Sequence, residues 1–342
     1  MGVGIRIADA PYPFRSYRDQ IRAGWMSAYI RLPRFVAENN LLALVTQLGQ
    51  GNGREAVTID FADVKFMIPG AIVALTAKVA GWKARGVSVD FTNFERAEAY
   101  RYLQRMNLFR VCGWDLPESF RRHDPRERFV PVRRITGQQD PDRLANEVAS
   151  VIVPDLTDAW DPDHTGPFDF VEYAISELAR NVSNHSRGTG FVCAQYYQSK
   201  DSVGVCIADD GIGIRQSFQN SPHWRDGMSD RDAVRLALQP EVSSKSHLRT
   251  LYGASENAGV GLTLLEGLSR KTHGEFLVIS GSGYYAPHSD GNFREGYGFQ
   301  GTLCAMTFRR SEVRNFATLL YAAKLDAGLI QPQRGDHSEM FQ

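Results

Sequence analysis

The alternation of apolar and polar residues divides the chain into segments typical of helices and strands. The first fifty residues have a mainly helical pattern, broken at Pro13 and Pro33. A strand-like run then covers 56–64, a helical run covers 71–86, and a second strand covers 87–91. This β-α-β order predicts parallel strands joined by a right-handed crossover.

The pattern changes after a further predicted helix at 94–109. The stretch 119–134 is rich in Arg and Pro and poor in aliphatic residues, which is the composition of a connector. It has little aromatic interleaving, so a solvated surface is favoured over a nucleic-acid patch. We therefore predict a first domain over 1–125, with its core at about 54–113.

The rest of the chain has a second alternation of elements. A polar tip between two apolar runs predicts a β-hairpin, and a long polar segment separates this hairpin from the last elements. The predicted elements are helices from about 140 and from 167, strands at 190–198 and 202–210, a polar segment at 215–255, a helix at 260–274, and strands at 275–283 and 301–308. These elements predict a second domain over 126–320, followed by a tail at 321–342.

Composition narrows the class of protein. The chain has 342 residues, of which 43% are hydrophobic and 23% are charged, values near those of globular proteins. Lys plus Arg and Asp plus Glu both number 39, so no overall attraction to nucleic acid or to an anionic membrane is expected. The apolar run at 41–48 is too short to span a bilayer and no signal segment precedes it, so a cytoplasmic location is expected.

The four cysteines are widely separated and form no C-x-x-C pair, which argues against a zinc site and a disulfide framework. We expect reduced, buried side chains. They are Cys112, Cys193, Cys206 and Cys304.

The stretch "SELARNVSNHS" (176–186) places Glu177, Asn181 and His185 four residues apart. On an α-helix this spacing puts the three side chains along one ridge, beside an apolar stripe. Spacing alone does not separate a solvated helix face from a site.

Three glycine motifs follow in order. "IADDGIGI" (207–214) offers a carboxylate and then two glycines, which let backbone approach a flat ligand. "NAGVGLTLLEG" (257–267) is a glycine-rich loop that opens a helix, an arrangement suited to phosphate. "GFQGTLCAMTF" (298–308) places Gly301 and Thr302 at the start of the last strand. Each motif alone is commonly a turn, whereas the ordered set is more specific.

This ordered set resembles the GHKL ATPase family of gyrase B subunits, MutL, heat-shock chaperones, histidine kinases and anti-sigma-factor kinases. The likeness covers about 168–310, with "ELARN" as the N box, "DDGIG" as the D-x-G-x-G box, "GVGL" as the G-x-G-L box and "GT" as the closing pair. The continuation to His185 is most similar to the anti-sigma-factor kinases. The resemblance implies a Bergerat α/β sandwich with a mixed sheet covered by helices on one face.

The resemblance also implies a role for each matched residue. Glu177 would orient or deprotonate an attacking water or hydroxyl, and Asn181 would supply an oxygen to Mg²⁺. Asp209 would accept a hydrogen bond from the adenine amino group, and Thr302 would bond the same edge. The implied ATP-contacting set is Asn181, His185, Asp209, Gly211, Gly213, Lys245, Gly259, Gly261, Leu262 and Thr302.

Some roles stay open. Residues 215–258 have the length and composition of an ATP lid, in which Lys245 either reaches the γ-phosphate or is a solvated lysine. His185 either contacts phosphate or caps its own helix. Asp210 is interpreted as a spacer.

The N-terminal half resembles a STAS domain, the fold of anti-sigma-factor antagonists, over about 54–113. The likeness rests on "VTIDFADVKFMIPGAIVAL" (57–75), a strand, a turn and a helix. Pro69 stands where the family has a phosphoacceptor serine, and proline has no hydroxyl. The resemblance therefore implies a docking or dimerising module that is not phosphorylated at this turn.

Three functions follow as hypotheses. The first is a regulatory protein that binds Mg-ATP and either hydrolyses it slowly, with Glu177 as base, or switches a protein interaction. The second is a serine/threonine kinase acting on a separate STAS partner, and the third is a scaffold that senses nucleotide without turnover. A regulatory protein partner is expected, a homodimer is compatible with both resemblances, and membrane and nucleic-acid partners are not expected.

Overall fold

The computed structural model describes residues 26–135, 139–154, 166–242 and 260–332. These residues form an α/β protein with small parallel sheets near the N-terminus and one larger antiparallel sheet after them. Within the described ranges, no helix is both long and apolar enough to cross a bilayer.

The N-terminal half contains a three-stranded parallel sheet in the order β1-β3-β5 and a two-stranded parallel pair, β2-β4. Its elements are β1 (Ser27–Arg31), β2 (Phe35–Val36), α1 (Leu41–Leu48), β3 (Ala56–Asp60), β4 (Phe66–Met67), α2 (Pro69–Ala84), β5 (Ser88–Thr92), α3 (Tyr100–Arg105) and α4 (Leu108–Val111).

The predicted β-α-β unit is confirmed. Strands β3 and β5 are parallel, with Ile59 opposite Phe91, and α2 connects them. Pro69 occupies the first turn of α2, where a missing N–H costs nothing because that group has no partner within the helix. Nearly all of α2 is buried, with apolar side chains around its whole circumference.

Two expectations for this half are wrong in part. The helical expectation before residue 50 holds at Leu41–Leu48 but fails at Ser27–Arg31, which forms the parallel edge strand β1 beside β3. The helix predicted over 94–109 is divided into α3 and α4 because Asn107 between them is left-handed, with φ of 60°.

The C-terminal half is built around a seven-stranded sheet. Its elements are β6 (Phe129–Ile135), α5 (Pro141–Ile152), α6 (Pro167–Asn181), β7 (Gly190–Tyr197), β8 (Ser202–Asp209), α7 (Gly213–Ser217), α8 (Asp230–Ala237), α9 (Gly261–Lys271), β9 (Phe276–Gly281), β10 (Gly283–Ala286), β11 (Ser289–Asn292), β12 (Phe299–Arg309) and α10 (Phe316–Asp326).

The strand order is β11-β10-β9-β12-β8-β7-β6. Every pairing between these strands is antiparallel, so the expectation of a mixed sheet is wrong for the described residues. The hairpin β7–β8 was predicted correctly. Alternation along a strand indicates which face is buried, but it carries no information about the direction of the neighbouring strand.

The helices of the C-terminal half that pack on this sheet lie on one face, as expected, and a helix of the N-terminal half covers the other face. Helices α5, α6, α9 and α10 contribute to the hydrophobic core on one face. Helix α2 of the N-terminal half packs on the other face, against β7, β8 and β12. The apolar residues of that face belong to the same hydrophobic core as the N-terminal half. The two halves therefore share a core.

The Arg-rich segment is not wholly a connector, because its last part is the edge strand β6. Pro131 lies inside this strand, within a break in register between Val130 and Arg133. Proline is tolerated in edge strands and at such breaks in register. The proline and arginine content of this segment therefore indicated a connector although its last part is a strand.

At the other end of the chain, α10 continues to Asp326, past residue 320, and packs on α9. All four cysteines are buried and free, as predicted.

Candidate functional site

Helix α6 carries the first motif. Pro167 begins the helix, and the Asp169 carboxylate accepts a hydrogen bond from the Gly166 N–H at 3.0 Å. The buried apolar stripe consists of Phe170, Val171, Ala174, Ile175 and Leu178. Glu177 lies beside this stripe and is itself buried. The predicted polar ridge therefore does not begin on a solvated helix face.

An arginine holds the Glu177 carboxylate. Arg180 Nη1 donates to Oε1 of Glu177 at 3.2 Å, and Nη2 donates to the two carboxylate oxygens of Asp142 at 2.6 and 2.8 Å. Burial raises the pKa of Glu177 above its ordinary value, and the charge of Arg180 opposes part of that rise. A buried carboxylate with a raised pKa is a better proton acceptor than an exposed one, so Glu177 has the properties of a general base.

Gly261, the first residue of α9, lies against Glu177. A Cβ at this position would stand 2.5 Å from Oε2 of Glu177. The motif on α6 and the "GVGL" motif are therefore in contact, and the start of α9 presents backbone N–H groups. Leu262 follows, half-buried and packed on the core below α9. The other two predicted residues of this region, Lys245 and Gly259, lie outside the described residues.

Asn181 is the last α-helical residue of α6 and is half-buried. The chain continues as a π-helical turn over Val182–Ser186, which contains the half-buried His185. The expectation of one α-helical ridge from Glu177 to His185 is therefore wrong beyond Asn181, because a π turn moves His185 off the α-helical register. Single π turns are frequent at functional sites.

The π turn leads directly to the second motif. The Ser186 carbonyl accepts a hydrogen bond from the Ile212 N–H at 2.8 Å. Any Cβ at Gly211 would collide with that same carbonyl oxygen. The absence of a side chain at Gly211 thus allows the end of α6 to touch the turn after β8.

Asp209 ends β8 with a buried side chain. Its Oδ1 accepts a hydrogen bond from the Gly211 N–H at 2.8 Å. Burial raises the pKa of Asp209 to about 6, although hydrogen bonds from Gly211, Ser186 and Thr302 favour the charged form. A carboxyl buried at the end of a strand and held by three donors is a fixed acceptor.

Three adjacent strands end together around Asp209. Thr302 on β12 pairs with Ser280 on β9, and the two hydroxyl oxygens are 3.3 Å apart. Ser280 Oγ also donates to the Gly301 carbonyl at 3.0 Å and accepts from the Ile214 N–H at 2.8 Å. Ser280 therefore links the turn after β8 to the Gly301–Thr302 pair.

Two glycines of this cluster have positive φ angles and stand where a side chain would collide with its neighbours. Gly301 has a φ of +88°, and a Cβ there would collide with the carbonyl of Asp209. Gly213 has a φ of +77°, and its Cβ would stand 2.9 Å from Ser280 Oγ. Because side chains are excluded at both positions, backbone lines this part of the site.

Asp210 is more than a spacer. Its Oδ1 accepts a hydrogen bond from the Thr189 N–H at 2.6 Å, so the side chain fixes the turn that enters β7. Its Cβ faces the N-terminal half, 3.2 Å from the position that a Cβ of Gly81 would occupy.

A cleft of about 600 Å³ adjoins these strand ends. Its wall includes Gly213, Ser280 and Gly301, together with loop residues 296–298, the first two residues of β12 and, from the N-terminal half, Asn52. A cleft of this volume is in the range of small-molecule sites.

The described part of the predicted lid, residues 215–242, is folded against the sheet. Helix α8 begins with Asp230, whose Oδ2 accepts hydrogen bonds from the N–H and the hydroxyl of Ser282 at 2.7 and 2.8 Å. Arg231 and Arg235 each contact Asp290 at 2.6 Å. Residues 243–258 of the predicted lid lie outside the described residues.

The structure thus brings the predicted residues into two contacting groups. Glu177 lies against Gly261. Asp209 bonds Gly211 and Thr302, and Gly213 joins this group through Ser280 and the Gly301 carbonyl. Ser186 and Ser280 connect these motifs and were missed by sequence reasoning. Ser280 was detectable in part, because period-two alternation from Phe276 and Val278 places it on the same face as they are.

Among the described residues, no group of three or more His, Cys, Asp and Glu side chains has a geometry that could hold a metal ion. Comparison with models of known protein families finds no match, and comparison with curated proteins finds no relative.

Proposed function

We propose that the C-terminal half is a GHKL-type domain that binds Mg-ATP and hydrolyses it slowly. The observation that carries this proposal is Asp209, a buried carboxylate at the end of β8, placed against the Gly301–Thr302 pair of β12. Asp209 and Thr302 lie one strand apart at the same end of the sheet, and backbone at Gly213 lines the adjoining cleft. This arrangement suits a planar base that carries an amino donor.

The proposed roles divide the site in two. Asp209 accepts a hydrogen bond from the adenine amino group, and Thr302 bonds the same edge. In this proposal the backbone N–H groups at the start of α9 bind phosphate oxygens, as at other helix N-termini. Gly261 supports this role, because a side chain there would displace the Glu177 carboxylate.

The residues present also fit a magnesium ion. Mg²⁺ in nucleotide sites usually takes one or two protein oxygens and completes its shell with phosphate and water. Asn181, half-buried at the end of α6, supplies one amide oxygen in this proposal. When bound, the ion would neutralise phosphate charge; the protein positions it and needs no dedicated cage of side chains.

Glu177 is the proposed base. It is buried, its pKa is raised, and Arg180 fixes one carboxylate oxygen at 3.2 Å while Asp142 fixes Arg180. In this arrangement Glu177 accepts a proton from the attacking water.

The N-terminal half is, in this proposal, a STAS-like module bound in cis. Pro69, which stands where the STAS family has its phosphoacceptor serine, is buried, and the next residue approaches Ala305 and Cys206 of the large sheet. Proline has no hydroxyl, so this turn lacks the group that would accept a phosphate. This observation supports hydrolysis over phosphotransfer within the chain.

The test is incubation of the purified chain with γ-labelled ATP. We expect release of labelled phosphate, reduced about 10²-fold by Glu177→Gln, since that is the usual contribution of a general base. Glu172→Gln is the matched control, because Glu172 lies on the same helix but pairs with Asn146. Unchanged turnover in the Glu177 variant would refute its role as base.

A parallel incubation in cell extract separates the remaining functions. Label transferred to another protein indicates a kinase, and tight ATP binding without turnover indicates a nucleotide-sensing scaffold. If neither the wild-type chain nor any variant binds ATP, the GHKL assignment itself is wrong.

A further inference from the structure

The loop between β11 and β12 forms one wall of the cleft, and the N-terminal half holds this loop. Asn52 Nδ2 donates to the Gly296 carbonyl at 3.1 Å. Gly49 lies directly under Tyr297, where an added Cβ would stand 3.0 Å from the Tyr297 Cα. A cleft wall in one half of the chain therefore rests on residues of the other half.

The strongest of these contacts comes from a buried lysine. Lys78, on α2, is only 2% exposed, and its Nζ donates to the Gly298 carbonyl at 2.8 Å. The rings of Trp82 and Phe299 each have their centroid 5.8 Å from this amine. A backbone carbonyl and two aromatic rings therefore surround the amine, and the positive charge of Arg85 also acts on it.

The position of this contact gives it a consequence for the cleft. Phe299 follows Gly298 and begins β12, and the register of β12 against β9 breaks between Phe299 and Thr302. Within that break lies Gly301, packed against the Asp209 carbonyl. Movement of the Gly298 carbonyl would thus be transmitted to the Gly301–Thr302 pair.

The same helix supports the other motif beside Asp209. One turn after Lys78, Gly81 contacts Asp210, whose carboxylate fixes the Thr189 N–H. Helix α2 therefore braces the two chain segments that flank Asp209, one through Lys78 and the other through Gly81.

We propose that Lys78 is a positioning residue for the nucleotide cleft, through which the N-terminal half sets the affinity of the C-terminal half for its ligand. This inference rests on the proposed function only for the identity of the ligand. The N-terminal half then acts as a built-in regulatory element, because any partner that moves α2 changes the shape of the cleft.

The experiment compares Lys78→Met with Lys83→Met in the full chain. Lys83 is a matched control on the same helix, since its Nζ also donates to a backbone carbonyl, that of Cys112 at 2.6 Å, but within the N-terminal half. Hydrogen exchange without nucleotide reports on the loop. We expect peptides covering 294–302 to exchange about tenfold faster in the Lys78 variant, the effect of losing one hydrogen bond, and to be unchanged in the Lys83 variant.

ATP binding to the same proteins tests the second step. We expect about fivefold or greater weakening in Lys78→Met and no change in Lys83→Met. Unchanged exchange at 294–302 in the Lys78 variant overturns the proposal, as does faster exchange with unchanged affinity. If wild-type protein fails to bind ATP, the proposed function is wrong, while the exchange result still decides whether Lys78 positions the loop.

Asn52→Ala provides an independent route if Lys78→Met does not fold. This change removes only the hydrogen bond to Gly296 from a half-buried side chain. It is expected to produce the same local increase in exchange at the loop, and an increase spread over the whole chain would contradict local positioning.

Discussion

Burial of Lys78 makes the stability of the fold depend on pH in a way that can be isolated. Burial, together with a smaller contribution from the charge of Arg85, lowers the pKa of its amine from 10.5 to about 7. The unfolded chain therefore binds a proton at Lys78 more tightly than the folded chain. The contribution of Lys78 to the free energy of unfolding is therefore lowest below pH 7, and it increases as the pH rises from 7 towards 10.5.

The magnitude follows from the two pKa values. At about 1.4 kcal/mol for each pH unit, the full difference is worth about 5 kcal/mol. Between pH 6 and pH 9 the contribution of Lys78 to the free energy of unfolding rises by about 3 kcal/mol, because the folded pKa of about 7 lies inside this window whereas the unfolded pKa of 10.5 lies above it.

The assay is urea unfolding of wild-type protein and Lys78→Met at pH 6, 7, 8 and 9. Other groups titrate equally in both proteins, so the difference between the two free energies isolates Lys78. We expect this difference to shift by about 3 kcal/mol in favour of the wild type from pH 6 to pH 9. Parallel curves would refute the reasoning, since they would mean that the amine keeps its proton in both states.

Three further changes test the site itself. Gly301→Ala forces a side chain into φ of +88° and into the Asp209 carbonyl, and we expect a loss of about 3 kcal/mol in urea unfolding; a loss below about 1 kcal/mol would contradict the packing. Asp209 is a better hydrogen-bond acceptor when it is ionised, so we expect ATP affinity to fall as the pH drops below about 6. Calorimetry at pH 5 to 8 measures this affinity, and a constant affinity over that range would argue against Asp209 as the adenine acceptor. Gly261→Ala displaces the Glu177 carboxylate, and we expect ATP turnover to fall about tenfold or more with little change in thermal stability; full activity would show that the carboxylate position is unimportant.

The parts of the fold predicted correctly are those set by short-range pattern. The parallel β-α-β unit and helix α6 follow from periodicity, and the β7–β8 hairpin follows from the polar tip between two apolar runs. Strand direction in the large sheet was not predictable in this way, because it depends on which segments meet in space. Strand β1 lies close to a proline and pairs with a segment 29 residues later, so no local signal marks it.

The residues of the candidate site that could be predicted are those whose side chains have a specific chemical role within a motif. Asp209 and Glu177 were identified by motif, and both prove to be buried carboxyl groups with raised pKa values. Ser186 and Ser280 were not identified, because a serine that links two motifs has no distinctive spacing. Lys78 was missed because a single lysine in an apolar helix normally marks the side of the helix that faces solvent. In α2 the residues around Lys78 are buried on every side.

The two-sided burial of α2 bears on how far the halves of the chain are separable. A helix packed on one sheet exposes its other face, and its sequence shows that division. Helix α2 packs between the small parallel sheet and the large antiparallel sheet, so apolar residues surround it and no boundary is visible in its pattern. Removing the N-terminal half would uncover the buried face formed by Phe191, Ile279 and Leu303, among others. Truncation therefore exposes a core, whereas point substitution at Lys78 or Asn52 alters the contact with the cleft and leaves that core covered.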